Sequence, residues 1–418
     1  MKLARATWAA LLLVSAITGT AMGQVIAIKA GKLVDPERGG TSTNQVILVD
    51  SGKVKAVGSA LPIPAGARVL DLSRATVLPG LFDAHTHMCL RMGLGAGVRD
   101  NLYLTTLEET TAYRAIEGVV NAREILESGF TTIRDVGNGG NYCDTDLRKA
   151  IDAGLIPGPT MLNAGRIITP YGGQFPGLLQ PEKPELGKPE YFYADTRDQL
   201  KMAIRENIFF GAKVIKIVMD NHPYIYSIDD VKFMVDEAGK AGVRVAAHAN
   251  SAEGAHNAIE GGVASIEHGP MVTDQDLVAM KNKGIMLVGT DFPQRLADAL
   301  GNPGIHKVFV ERLKRAQRAG TPMAFGTDEI FWLPGETRGT LTISFIDSFV
   351  EAGIPAATIL QALTSNAATL LGVEKERGAI RPGLAADIIA TPENPLDNIQ
   401  TLKQVQFVMK NGKVIRDR

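Results

Sequence analysis

Short runs of alternating apolar and polar residues open and close the chain. VIAIKAGKLVD (25–35), QVILVDSGKVKAVG (45–58) and ARVLDLS (67–73) each end in Gly, Asp or Ser turn signals, the signature of β-strands half-buried on one face. GAIRPGLAADIIA (378–390) and LKQVQFVMKNGKVIRDR (402–418) repeat the pattern at the other end, with Asn411-Gly412 as a hairpin turn. Between about Thr76 and Leu371 the period changes. Apolar runs that end in polar residues, FTTIRD (130–135), MLNAGRIIT (161–169), KVIKIVMD (213–220), VRVAAH (243–248), GVASIEH (262–268), GIMLVGT (284–290) and PMAFGTD (322–328), alternate with helix-like stretches. The latter include EGVVNAREILES (117–128), SIDDVKFMVDEAGKAG (227–242), SAEGAHNAIEGG (251–262) and TDQDLVAMKNKG (273–284). With ATVLPGLFDAH (75–85) in front, eight strand–helix units result, and such units build a parallel sheet that closes at eight. The expected fold is α/β: a (β/α)8 barrel over 76–375, plus a small β-sandwich from 24–75 and 376–418.

A barrel of this kind carries its chemistry at the C-terminal ends of its strands. His85 and His87 follow the first strand, Lys216 lies within the fourth, His248 and His268 end the fifth and sixth, and Asp328 ends the eighth. His85 and His87, two apart on a strand, share one face and can chelate. Core packing gains little from two adjacent imidazoles, each of which needs hydrogen-bond partners. Lys216 sits in the apolar run VIKIV, where an unpartnered lysine is rare. The segment 170–196, rich in Gly, Pro and aromatics, is too long for a simple connector and is expected to cover the mouth of the site.

Composition narrows the class further. A length of 418 residues with 45% hydrophobic content buries a large core. A formal net charge of -1 with no long basic block excludes the electrostatic footprint of a nucleic-acid binder, and ERLKRAQR (311–318) reads as a solvated helix face. Lys2 and Arg5, the apolar run WAALLLVSAI and the small residues of GTAMG form the three parts of a secretory signal, with cleavage expected after Gly23. That apolar run is shorter than the ~20 residues of a spanning helix, so no stable membrane association is expected once the signal is removed. Export, to a periplasm or the medium, permits one bridge between Cys89 and Cys143; two buried thiols are the other reading.

The motifs GLFDAHTH (80–87), GFTTIRDVG (129–137), VIKIVMD (214–220), VAAHA (245–249), SIEHG (265–269), FGTD (325–328) and the tail 381–415, in this order, resemble the amidohydrolase superfamily. Within it the chain is similar to the exported Xaa-Pro-dipeptidase-like and imidazolonepropionase-like members. The resemblance implies two divalent metals. His85 and His87 would hold the first, His248 and His268 the second, and Lys216, carboxylated on its amine, would bridge them. Asp328 would bind the first metal and shuttle the proton. The donor chemistry agrees with zinc, since an ammonium cannot ligate and a buried lysine beside cations must lose its proton. Two metals would lower the pKa of a shared water, whose hydroxide attacks an amide carbonyl. Tyr224 or Tyr226 would stabilise the oxyanion, or else pack the loop. His256, His306 and His222 fall outside the pattern.

The chain departs from those relatives in the loops that face substrate. Gln174, in PYGGQFP, stands where many dipeptidase-like relatives carry a histidine, and MDNHPYIYS replaces a Gly-rich turn. Arg134 could meet a substrate carboxylate, or pair internally with Asp135. The expected activity is hydrolysis of a dipeptide or N-acyl amino acid. Cyclic-amide hydrolysis, aryl-amide hydrolysis of the ochratoxin type, and a metal-free binding protein of the same fold are the alternatives. A small-molecule partner is implied, and assembly into a homo-oligomer is compatible with the sequence.

Overall fold

The computed structural model describes residues 24–94, 105–106, 108–174, 184–220 and 223–417. The expected signal (1–23), His222 and residues 175–183 of the long loop lie outside these. In chain order the strands begin with β1 (Ile26–Asp35), β2 (Gly40–Asp50), β3 (Lys53–Gly58) and β4 (Arg68–Pro79). There follow β5 (Leu81–Thr86), β6 (Met92–Gly93), β7 (Phe130–Asp135), β8 (Thr160–Asn163), β9 (Ile167–Thr169), β10 (Tyr191–Tyr193), β11 (Val214–Val218), β12 (Arg244–Ala249), β13 (Ser265–His268) and β14 (Met286–Val288). The last are β15 (Phe331–Trp332), β16 (Ile388–Thr391), β17 (Phe407–Lys410) and β18 (Lys413–Asp417).

The two flanks meet in one seven-stranded sheet of order β18-β17-β16-β4-β1-β2-β3. Its alternating side chains bury a separate core, in which Ile28, Ile47, Val77, Ile388 and Phe407 pack together. Val54 of β3 donates to Leu384 O (2.9 Å) and accepts from Gly383 N (2.8 Å), so the sheet curls until its β3 edge reaches the segment before β16. Where the sequence predicts a sandwich from the flanks, they form one curled seven-stranded sheet. Lys410 of β17 donates to Thr160 Oγ1 at the start of β8 (2.7 Å) and so ties the sheet to the central strands.

The central strands pair in parallel as β5-β7-β8 and as β10-β9-β11-β12-β13-β14. Their polar termini sit together at one end, because parallel strands present all their C-termini on the same side. The expected third strand, 161–169, is in fact two: Gly165 adopts φ +72°, a left-handed conformation that ends β8 and starts β9 in the other sheet. Lys213 N donates across to Asn163 O (2.7 Å), linking the two sheets there. The expected eighth strand is a short extended segment, 322–328, rather than a ladder. Ala324 N donates to Leu287 O (3.0 Å), Ala84 N to Phe325 O (2.8 Å) and Asp328 N to His85 O (2.8 Å), so this segment bonds both β14 and β5. The helices form where their caps anticipate them. Ser227, Ser251 and Thr273 accept from backbone N–H groups at the starts of helices Ile228–Gly239, Ala252–Gly261 and Asp274–Lys283, and Gly262 and Gly284 end the last two. Among the described residues no helix is long and apolar enough to cross a membrane.

Candidate metal centre

Strand alternation aims Asp83 and His85 of β5 to the same side as Lys216 of β11, and the loop past β5 returns His87 to the same pocket. The pocket is lined by His85, His87, Lys216, His248, His268 and Asp328, with Asn138, Gln174, Leu90, Ile167 and Ile330 as the remaining wall. Asp328 Oδ1 lies 3.1 Å from His87 Nε2 and 3.6 Å from His85 Nε2, and its Oδ2 lies 3.9 Å from His268 Nδ1. The His85 and His268 rings are 5.0 Å apart, and those of His248 and His268 are 4.4 Å apart. The structure thus brings all six sequence-selected ligand candidates into one cluster. His268, Asp328 and Asn138 hold φ +65°, +55° and +54°, left-handed conformations that are strained for non-glycine residues and concentrate at functional sites.

At His85, His268 and Lys216 the electrostatics favour neutral donors. Burial pushes His85 and His268 well below the usual histidine range, with further depression from neighbouring cations and imidazoles. Burial also lowers Lys216 to about 8, against the opposing pull of Glu267 and Asp328. At His87 burial is outweighed by its hydrogen bond with Asp328, and its pKa rises. His85 Nε2 is buried with no hydrogen-bond partner, although its neighbours are arranged around it. A polar atom is rarely left so, and an electron pair aimed at a carboxylate and three imidazoles fits a bound cation. The donor set, imidazole nitrogens and a carboxylate, suits a divalent transition metal, and His85, His268 and Asp328 can offer atoms within 4.8 Å of one another.

Residues that the sequence reading did not single out hold these ligands. Glu267 accepts from His85 Nδ1 (2.7 Å), and His87 Nδ1 donates to Gly137 O (2.7 Å). Asp83, raised to about 7 by burial, accepts from the backbone of His85 (3.0 Å) and from Thr327 N (3.1 Å), clamping both ligand-bearing segments. Asp220, at the end of β11, accepts from Ser251 N (2.7 Å) and Asn250 N (2.9 Å), which fixes the turn after His248. Arg312 is buried, donates to the His268 carbonyl and pairs with Asp291. The signal was present in strand alternation, which puts Ser265 and Glu267 on the interior face of β13. His268, next in sequence, reaches the pocket only through its positive φ.

Three substrate contacts are corrected. Arg134 is only 3% exposed and meets neither substrate nor Asp135: it pairs with Glu267 (2.7 Å) and borders a different cavity, with Lys213 and Arg244 at the N-terminal ends of the strands. Interior alternation on β7 buries it below the ligands. The Tyr226 hydroxyl donates to Ala194 O (2.7 Å) and its ring lies in the main hydrophobic core, so this tyrosine packs a loop rather than facing an oxyanion. Tyr224 is 73% exposed and outside the pocket lining. Gln174 does line the pocket, held by the Tyr191 hydroxyl (3.3 Å). The segment 170–196 contributes it together with β10 and the short helix Pro184–Gly187. Cys89 and Cys143 form a disulfide, joining the loop past His87 to the helix Cys143–Asp152.

Parallel strands with a buried histidine, lysine and aspartate cluster at their C-terminal ends define a hydrolase-type α/β protein. Residues 76–415 match the amidohydrolase family, and the chain belongs to it. It is 28% identical to ochratoxinase of Aspergillus niger over 96% of this chain and 88% of that protein. The crystal structure of that ochratoxinase superposes with a TM-score of 0.79 at 25% identity, covering 94% of this chain and 96% of the other. A Xaa-Pro dipeptidase crystallised with methionine in its active site superposes with a TM-score of 0.81 at 27% identity, covering 94% of this chain and all of that one. These likenesses imply a TIM-barrel-like fold. The protein is an amidohydrolase-family enzyme, a hydrolase acting on carbon–nitrogen bonds.

Proposed function

We propose that this enzyme is a binuclear metal hydrolase that cleaves the amide bond of a dipeptide or N-acyl amino acid, on a closed (β/α)8 barrel. The observation that carries the reading is Lys216: a buried lysine amid four imidazoles and a carboxylate, beside a histidine nitrogen with no partner. One cation would be held by His85, His87 and Asp328, the other by His248 and His268, with Lys216 between. Such cations lower the pKa of a water and polarise a carbonyl. With its pKa near 8, the Lys216 amine has a neutral fraction that can attack carbon dioxide. The neutral amine adds to the carbon, one C=O π bond of carbon dioxide opens, an N–H proton passes to solvent, and the side chain becomes an anionic carbamate. Asp328, exposed to the pocket, accepts the proton of the attacking water and delivers it to the departing nitrogen. Leu90, Ile167 and Ile330 offer an apolar wall to the acyl or side-chain group, and Gln174 and Asn138 offer amides to its polar edge.

Similarity to ochratoxinase along nearly the whole chain favours aryl amides as a second reading. The same apolar wall suits an aromatic acyl group. Zinc-loaded enzyme assayed against dipeptides, N-alkanoyl and N-aroyl amino acids and cyclic amides separates the classes. Turnover of the first two groups is expected. Hydrolysis confined to N-aroyl substrates selects the second reading, and hydrolysis confined to cyclic amides overturns both. The reading of residues 1–23 as a secretory signal rests on Lys2, Arg5 and the apolar run, and the Cys89–Cys143 bridge suits an oxidising compartment. Mass analysis of exported material beginning near Gln24 tests it.

A further inference from the structure

The three histidines nearest Asp328 are not held alike. His87 Nδ1 meets a backbone carbonyl, Gly137 O (2.7 Å), and His268 Nδ1 meets a hydroxyl, Thr290 Oγ1 (2.9 Å). Both partners are uncharged. His85 Nδ1 instead meets the carboxylate of Glu267 (2.7 Å). Glu267 has no exposure at all, and its other oxygen accepts from Arg134 Nη2 (2.7 Å) and from the Ser265 hydroxyl. Arg134 in turn donates from Nη1 to Ser265 Oγ (2.9 Å) and from Nε to Ala84 O (2.5 Å), the residue just before His85. Four side chains from β5, β7 and β13 thus form one buried network beneath the ligand cluster.

We propose that Glu267, held by Arg134 and Ser265, is a positioning residue that sets the tautomer and donor strength of His85. The inference rests on the metal-site reading above. A carboxylate only accepts, so the proton of His85 must reside on Nδ1 and the lone pair on Nε2. Nε2 is the atom left without a partner and directed at Asp328, 3.6 Å away. A negative hydrogen-bond partner also raises the electron-donating power of a ligand imidazole. A neutral partner, as at His87 and His268, does this less. Arg134 supplies the opposite charge, and its two Nη groups hold Glu267 Oε1, one directly and one through the Ser265 hydroxyl. The arginine therefore serves the ligand set from below, and its burial away from substrate has a reason.

The test is Glu267→Gln, which keeps shape and removes charge. Zinc affinity is measured by competition with a chromophoric chelator, the metal-free protein's melting temperature by calorimetry, and the His85 tautomer by nitrogen NMR of metal-free protein labelled at histidine. Zinc affinity is expected to fall by roughly 10–100-fold, the range for loss of such an outer partner. The Nδ1–H form of His85 should lose its dominance while the other histidine signals stay in place. A purely structural role would move the melting temperature and leave the tautomer alone. A folded variant that binds zinc less than ten-fold more weakly, with the parent tautomer, overturns the proposal. Should Glu267→Gln not fold, Arg134→Lys decides, since it keeps the charge but loses the fork: weakening of three-fold or more supports the network, and less overturns it. Failure of the parent itself to bind zinc refutes the metal-site reading instead, so the two failures are distinguishable.

Discussion

Replacing Asp328 by Asn separates holding from chemistry. Asp328 adopts φ +55°, a region that Asn tolerates better than any other non-glycine residue, so backbone strain is unchanged and the fold should survive. The amide has the carboxylate's size and fits beside His87 Nε2 (3.1 Å) and His85 Nε2 (3.6 Å). It cannot accept the proton of the attacking water. Loss of general acid–base catalysis is typically ~10²–10⁴-fold. At 1.36 kcal/mol per decade that range corresponds to about 3–5 kcal/mol of barrier. The residue acts mainly in the transition state, so KM should move by less than kcat. Steady-state kinetics and elemental analysis on one preparation provide the measurement. A variant that retains both metals and turns over within ten-fold of the parent shows that the proton travels by another route. Asp328→Ala is the weaker experiment, because alanine at this φ adds strain of ~1 kcal/mol or more and confuses folding with chemistry.

The remaining expectations are briefer. Elemental analysis of reconstituted enzyme should give two divalent metals per chain, and His248→Ala should retain one of them; a single metal at full activity in the parent refutes the binuclear site. In metal-free protein, Lys216 carries a pKa near 8 against an ordinary value of 10.5, so the unfolded state binds more protons between these limits and stability must rise with pH across that window. The rise is worth ~3 kcal/mol. It is isolated by subtracting the pH–stability curve of Lys216→Met, which also removes the parallel contribution of Lys410; identical curves refute it. The Cys89–Cys143 bridge closes a loop of 54 residues, and on chain entropy its removal should lower unfolding free energy by ~4 kcal/mol, read by urea titration of Cys89→Ser/Cys143→Ser. No change in the unfolding midpoint would mean that the bridge restrains little of the unfolded chain.

The sequence by itself determined the periodicities, and with them the parallel strands, the flanking sheet and the ends of strands on which ligands could lie. A two-residue repeat is local, and so is a Ser or Thr cap followed by an amphipathic run; both survive in the linear order. The six ligand candidates were legible because parallel strands carry all their C-termini to one side, a consequence of order alone. Where the structure departs from the sequence reading, the cause is long-range or conformational. Gly165 splits a run whose hydrophobic pattern is continuous, and the segment before Asp328 bonds both neighbouring strands without forming a ladder. Arg134 of β7 meets Ser265 and Glu267 of β13 across strands far apart in sequence, so no local pattern brings the arginine to that pair. Tyr226 joins the core because its hydroxyl finds a carbonyl more than thirty residues away. Alternation assigns a side chain to a face. Which partner waits on that face is decided only when the strands close against one another, since the cost of burying a charge or hydroxyl is set by what surrounds it.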